Sequence, residues 1–406
     1  MPKTDDDGVE WLSEEELAQA KSCADEKTFD TFVESVGGHR IDGLHPNPGV
    51  LNADYVFPAD KVIIELKTLE TEIQNTHQFQ AKMQVVHRQA ILHLRAGACD
   101  IALAVGTEKM FFTDRPEKIA AAFLGGTDIH DLETTRAFVR ELGGDIDDGT
   151  NGTRSVFMDL YAALAHHHMR SFGTTQEDLA KIASKNHAIS VFNDKAQYRT
   201  AVSVAEVMAD RLIAYPITRS MCAPVSDGAA AAVICTRRGL EKLAGLHSRA
   251  VRIRACALRS GSQHAASDHA RRIGHLTALE AYSAASVSPE DIDVAEVHDA
   301  SALGELLQIE NLGLAPFGEV PAKLAQGYFA VGGPIPVNPS GGLICKGHPI
   351  GATGIAQMYE LCLHLRNEAR ERQVTGARLG ITENGGGWLR GEEASCVVSI
   401  LEAPSR

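Results

Sequence analysis

The stretch from Asn338 to Gln357, Asn-Pro-Ser-Gly-Gly-Leu-Ile-Cys-Lys-Gly-His-Pro-Ile-Gly-Ala-Thr-Gly-Ile-Ala-Gln, constrains the fold more than any other. It sets five glycines and two prolines around one histidine, His348. Directly after it, Ile355, Met358, Leu361, Cys362 and Leu365 recur at three- and four-residue steps, the spacing of a helix with one buried face. A rigid glycine loop feeding a helix gathers free backbone N–H groups and a positive helix end at one spot. A histidine held there can donate a hydrogen bond to an oxygen that becomes negative during a reaction. A glycine-rich turn whose histidine merely caps the helix would look the same in isolation. The surrounding residues have to decide between the two.

A chain of 406 residues is long enough for two or three domains and a sizeable core. Its charged share of 23% and hydrophobic share of 44% are those of an ordinary globular protein. A formal net charge of −14 argues against a nucleic-acid or anionic-membrane surface, so neither partner is expected. The N-terminus, Met-Pro-Lys-Thr-Asp-Asp-Asp, lacks the basic start and apolar run of a signal peptide. No apolar stretch reaches transmembrane length, and Ala-Pro-Ser-Arg is not a peroxisomal tail, so a cytoplasmic location is expected. The eight cysteines, Cys23, Cys99, Cys222, Cys235, Cys256, Cys345, Cys362 and Cys396, show neither zinc-ligand spacing nor a disulfide framework.

Residues 1–78 read differently from the rest. Ser13-Glu14-Glu15-Glu16 opens a short acidic helix, and Thr28 to Val36 forms a second. Val62 to Lys67 reads as a strand. Asp54 with Glu65-Leu66-Lys67 matches the Asp…Glu-x-Lys core of metal-dependent nucleases, where two carboxylates hold Mg²⁺ and a lysine steadies water. The elements that should follow such a core are absent, and an edge strand with a solvated Glu/Lys face explains the same residues.

From His77 to His93 the pattern is helical, with Met83, Val86, Ala90, Ile91 and Leu94 as its buried stripe. Asp100 to Gly106 then reads as a strand buried on both faces, one unit of an α/β sheet. Residues 111–220 read as a long insertion with helices over about 156–169 and after Thr174, a capping-box position relative to Glu177. His166-His167-His168 point in different directions on a helix and cannot chelate one ion together; a polar helix end is expected there. Ala229 to Thr236 is a buried strand. Strands at 251–258 and 293–297 and helices at 268–285 and 302–312 open a second half. Two last strands, about 378–382 and 395–401, flank a loop from Glu383 to Gly387. Leu92-His93-Leu94-Arg95 is echoed by Leu363-His364-Leu365-Arg366, each ending a helix that leads to an apolar strand, which fits a duplicated α/β fold.

In order and spacing, several pieces resemble the thiolase superfamily, particularly its sterol-carrier-protein-like, or lipid-transfer-protein, branch. They are Gly97 to Met110, Gln197-Tyr198-Arg199-Thr200, Ser226-Asp227-Gly228-Ala229-Ala230, Val297-His298-Asp299-Ala300-Ser301, the Asn338 to Gly354 loop and Glu383 to Gly387. The resemblance covers about 84–406 and implies a thiolase-like, duplicated five-layered α-β-α-β-α fold whose N-terminal half is incomplete. It divides the chain into an unrelated segment 1–78, a partial first half 79–246 carrying the loop domain 111–220, and a second half 247–406. It implies a homodimer acting on acyl-CoA, with the CoA thioester as substrate, no permanently bound cofactor and no metal. Since CoA is anionic, its site would need local Arg or Lys, for which Lys181, Lys185, Lys195 and Arg199 are available.

By the resemblance, His348 is the histidine that activates a catalytic cysteine and helps bind the thioester oxygen. His298 belongs to the oxyanion site, and Gly347, Asn384 and Gly385 support its loops. Three departures follow. Glu383 stands where the family has a late cysteine, and Ala300 where the branch often has another. Glu383 is then either a proton-transfer group or a structural carboxylate. The nucleophilic cysteine is missing: counting back from Gln84 lands near Phe79, Cys99 lies beyond the helix as a packed thiol, and Cys345 is at a variable position. The first strands of the N-terminal half are not recognisable. Three functions stay open: an acyltransferase impaired by loss of its cysteine, a cysteine-independent CoA-thioester lyase such as a retro-aldolase, and a non-catalytic acyl-CoA or lipid-binding subunit docked to a small partner.

Overall fold

The computed structural model describes residues 86–112, 119, 122–128, 131–144, 146, 154–243, 245–262, 264–389 and 391–404, with the backbone of three short strands at 39–40, 55–57 and 62–65. The acidic helices expected in 1–38 lie outside the described residues, as do Phe79, Asp54 and Lys67; Glu65 ends a strand.

Two mixed sheets form the frame. The first runs β1 (His39–Arg40), β2 (Tyr55–Phe57), β3 (Val62–Glu65), β4 (Ile101–Glu108), β5 (Gly228–Cys235). The second comprises β6 (Arg252–Ser260), β7 (Val294–Glu296), β8 (Leu379–Leu389) and β9 (Glu392–Glu402), in the spatial order β6-β9-β8-β7. The two halves repeat a pattern. β3 lies parallel to β4, which lies antiparallel to β5. β7 lies parallel to β8, which lies antiparallel to β9. The second sheet adds β6 outside β9, whereas β5 has no equivalent neighbour among the described residues. Among the described residues, the first half is the less complete by that comparison.

Helices α1 (Val86–Arg95) and α7 (Thr353–Leu365) lie between the sheets. They are the two helices whose ends share the Leu-His-Leu-Arg echo. Ala90, Ile91 and Leu94 of α1 pack with Ala102, Ala104, Ile234 and Ile355. Met358, Leu361 and Leu365 of α7 pack with Val294, Val374 and Leu401. Each such side chain contributes about 1.5–3 kcal/mol on burial, more than the roughly 1 kcal/mol cost of Gly354 in the first turn, so packing fixes this helix. Between α1 and α7 in sequence come α2 (Val156–Phe172), α3 (Gln176–Ser190), α4 (Ile273–Ala285), α5 (Ala302–Asn311) and the short α6 (Gly342–Lys346). α2 to α5 form the largest core against the outer face of the second sheet.

Three local expectations change. β4 and β5 are not buried on both faces: residues 102, 104, 106 and 108 are buried while their neighbours are half-buried, and Val233 is 61% exposed. The capping box sits one residue later, with Thr175 and Asp178 satisfying each other's backbone N–H. His168 is not at a polar helix end but fully buried, bonded through Nε2 to Glu310 and through Nδ1 to Thr174. His166 instead meets the Gly143 carbonyl, so the three histidines do diverge. No metal-binding cluster of His, Cys, Asp or Glu occurs among the described residues, and no described helix is long and apolar enough to cross a membrane.

Candidate active site

The His348 loop is clamped by pieces of chain far away in sequence. The His348 N–H donates to Ser226 Oγ at 3.1 Å, and that hydroxyl donates to Gln197 Oε1 at 2.6 Å. Gln197 and Tyr198 donate their backbone N–H groups to the carbonyls of Lys346 and Cys345. Gly347 has φ 103°, and a Cβ there would lie 2.5 Å from Ser226 Oγ, so no other residue fits. From the first half, Glu108 Oε2 accepts the Gly351 N–H at 3.1 Å.

Beneath the loop lies a buried polar network. Asp299 Oδ1 accepts the Leu343 N–H at 2.6 Å, starting α6. Asn186 donates to Asp299 and Glu305, Asn338 also donates to Glu305, and Lys185 reaches Glu305 at 2.9 Å. Ser340 is held by Glu296. Burial pushes the Asp299 and Glu296 carboxyls up. The fit leaves no room at Gly342, whose φ is 62° and whose added Cβ would lie 2.0 Å from Asp299 Oδ2. Gly342→Ala is expected to lower stability by about 2–4 kcal/mol. Gly327→Ala, with φ 73° but open space around it, is expected to lose only about 1 kcal/mol. Urea unfolding of the two variants checks the difference, and equal losses would refute the steric account.

His298 follows β7 and meets His348 Nε2 to Nε2 at 3.3 Å, the rings crossing edge to face at 77°. Burial holds His298 down to about 4 and drives His348 well below the ordinary imidazole value, so both are neutral. His348 Nδ1 lies 2.8 Å from Thr353 Oγ1, which itself donates to the Pro349 carbonyl. His348 therefore carries its proton on Nδ1 and offers a bare Nε2, which accepts from His298 Nε2–H. In this arrangement His298 presents the N–H and His348 the bare nitrogen.

Glu383 is in a strand, not a loop. The run Glu383 to Gly386 pairs residue by residue with β9, because backbone pairing needs no side chain. Fully buried, Glu383 accepts the His298 N–H at 3.1 Å and the Cys396 thiol at 3.4 Å. Burial first, then the nearby Glu393, push it up to about 8. Asn384 turns toward α7, where a Cβ on Gly354 would lie 2.7 Å from its Nδ2.

A cavity of about 290 Å³ opens in front of the histidines. His298, His348, Ser226, Arg154 and Arg211 line it together with Gly385 to Gly387 and the apolar Met110, Phe157, Met158, Ile350 and Trp388. Asp227 holds the Met110 wall by accepting the N–H groups of Met110 and Phe111. Glu383 and Asn384 do not border the cavity; Glu393, Cys222 and Trp388 do, and the sequence motifs had not singled them out. The Cys222 thiol donates to the Thr218 carbonyl, and burial pushes it up to about 12, so it is no ready nucleophile. Cys99, Cys345 and Cys396 are buried in cores. No thiol among the described residues is both at the cavity and activated.

The family model for thiolase C-terminal domain-like sequences matches residues 255–402. The chain is 36% identical over 303 residues to an acetyl-CoA acetyltransferase of Methanothermobacter thermautotrophicus, covering 74% of this chain and 73% of that protein. It is 40% identical over 231 residues to sterol carrier protein 2 of Rattus norvegicus, covering 55% of this chain and 42% of that longer protein. Among solved structures, the Ltp2-ChsH2(DUF35) aldolase matches with TM-score 0.62 at 22% identity, covering 80% of this chain and 78% of that one, a likeness of fold. With matching motifs, a repeated sheet pattern and these relatives, the chain belongs to the thiolase superfamily, on its sterol-carrier-protein-like branch.

Proposed function

We propose that this chain acts on acyl-CoA thioesters through an enolate, cleaving the bond between the α- and β-carbons of the acyl chain without forming an acyl-enzyme. The carrying observation is the cavity where His298 offers an N–H, His348 offers a basic nitrogen 3.3 Å away, and the bordering Cys222 is held as a thiol. In this retro-aldol sense the thioester oxygen takes the His298 N–H, and His348 Nε2 accepts the proton of a 3-hydroxyl group. Fixed donors aimed at a developing enolate oxygen are the largest single source of rate for such chemistry. That the fold is shared with a protein named as an aldolase supports this reading. The second reading, acyl transfer by thiolysis or Claisen condensation, is favoured by the acetyltransferase relative and needs a nucleophile. A homodimer, and a small partner subunit docked to it, belong to the same proposal.

The test is an intact mass after incubation with acetyl-CoA and with a 3-oxoacyl-CoA, alongside deuterium exchange at the acetyl-CoA α-carbon in D₂O. The expected result is exchange with no acyl adduct. A stable adduct of acyl mass overturns the lyase reading in favour of acyl transfer. Neither adduct nor exchange overturns both.

A further inference from the structure

We infer that Glu393 is a catalytic residue, the group that moves the proton at the substrate α-carbon. The inference rests on the enolate reading above and assigns the step for which that reading has so far named no residue.

Glu383 and Glu393 both come near the cavity, and the structure separates their roles. Glu383 spends one oxygen on the His298 N–H and the other on the Cys396 thiol, and it does not reach the cavity wall. Glu393 borders the cavity together with His298 and His348. It sits in the hairpin of β8 and β9, close to their turn. Gly386 pairs with Ser395 and Trp388 with Glu393, the register running unchanged through Gly387. Gly387 has φ 66°. A left-handed residue at this point twists the strand locally. The Glu393 chain then lies against Gly385, where an added Cβ would be 3.0 Å from Glu393 Cγ. Any larger residue at 385 would push the carboxyl away.

The carboxyl is oriented by hydrogen bonds and has no direct cationic partner among the described contacts. Gln308 Nε2 donates to Glu393 Oε1 at 3.0 Å, and the residue's own backbone N–H also reaches the carboxyl. Burial and the neighbouring Glu392 hold it above the ordinary carboxylate range, with Arg272 opposing. Its cross-strand partner Trp388 also borders the cavity and has an indole N–H with no hydrogen-bond partner.

The proton balance closes. In cleavage of a 3-hydroxyacyl-CoA, the hydroxyl proton goes to His348 Nε2. The C2–C3 bond breaks, its electron pair enters the thioester enolate, and the C3 fragment leaves as a carbonyl compound. Protonated Glu393 gives its proton to C2, releasing the shortened acyl-CoA. The His348 imidazolium returns a proton through solvent to the Glu393 carboxylate. By microscopic reversibility, the Glu393 carboxylate takes the α-proton when a simple acyl-CoA exchanges it.

The experiment measures deuterium uptake at the α-carbon of acetyl-CoA by the full chain and its Glu393→Gln and Glu393→Asp variants, with affinity for acetyl-CoA measured in parallel. Glu393→Gln is expected to slow exchange by about 10²-fold or more, with affinity within about threefold of wild type. Glu393→Asp, with its carboxyl drawn back by one methylene, is expected to keep more of the rate than the Gln variant. Should Glu393→Gln not fold, Glu393→Asp decides alone, an exchange rate about tenfold down supporting the role and an unchanged rate refuting it. Exchange in a folded Glu393→Gln within about threefold of wild type overturns the assignment while leaving the enolate reading intact. Absence of exchange in the wild type overturns that reading, and this inference falls with it.

Discussion

His298→Ala is expected to slow α-proton exchange by about 10²–10³-fold while leaving acyl-CoA affinity within a few-fold. His298 is the donor of the imidazole pair, because Thr353 fixes the His348 proton on Nδ1 and leaves His348 Nε2 as the acceptor. Its backbone is pinned by Glu383, so the ring needs little reorganisation to turn its N–H from His348 to a thioester oxygen. A donor already in place acts on the developing charge without the cost that water would incur in reorienting. The His298 imidazole is held down to about 4, so it stays neutral at any pH well above that value. The His298-dependent part of the rate should therefore be flat between about pH 6 and 8. Deuterium uptake followed by mass spectrometry checks both points. A His298→Ala enzyme exchanging within threefold of wild type would remove His298 from the oxyanion site, and a rate that rises sharply on acidification would contradict the neutral donor.

What the sequence disclosed depended on how local the cause was. The His348 loop was legible because its glycines serve local backbone needs, such as Gly347 at φ 103° against Ser226. The α1 stripe was legible because Ala90, Ile91 and Leu94 carry the helical period themselves. The run Glu383 to Gly387 was misread as a loop, since glycines signal turns and only the partner strand supplies the pairing that makes them a strand. Glu393 escaped notice for a similar reason. Its approach to the cavity comes from the return strand of the hairpin and its packing against Gly385, which no short motif encodes. The signal available was a second glutamate pair, Glu392-Glu393, soon after the glycine run in a strand otherwise apolar toward its end. The half-open face of β4 could not be read either, because an alternating burial pattern in Ala, Leu and Val looks the same as a doubly buried strand.

Glu383→Gln should separate the structural role of that residue from a catalytic one, through stability as a function of pH. Glu383 is fully buried and pushed up to about 8 from an ordinary value of 4.5. Between those values the folded chain keeps the proton while the unfolded chain releases it. Stability supplied by this group is thus greatest in acid and falls as pH rises from 4.5, levelling off above about 8. The slope is about 1.4 kcal/mol per pH unit, so the wild type should lose about 4–5 kcal/mol relative to the Gln variant across the window. Glutamine has no proton to release, yet its carbonyl can still accept the His298 N–H. All other titrating groups are common to both chains and cancel in the difference. Urea unfolding at pH 5, 6, 7 and 8 gives that difference directly, with the Gln variant expected to gain on the wild type at each step. Parallel stability curves would mean that Glu383 is already ionised when folded. It would then hold the His298 backbone as a carboxylate, and the argument that reserves α-carbon proton transfer for Glu393 would lose one of its supports.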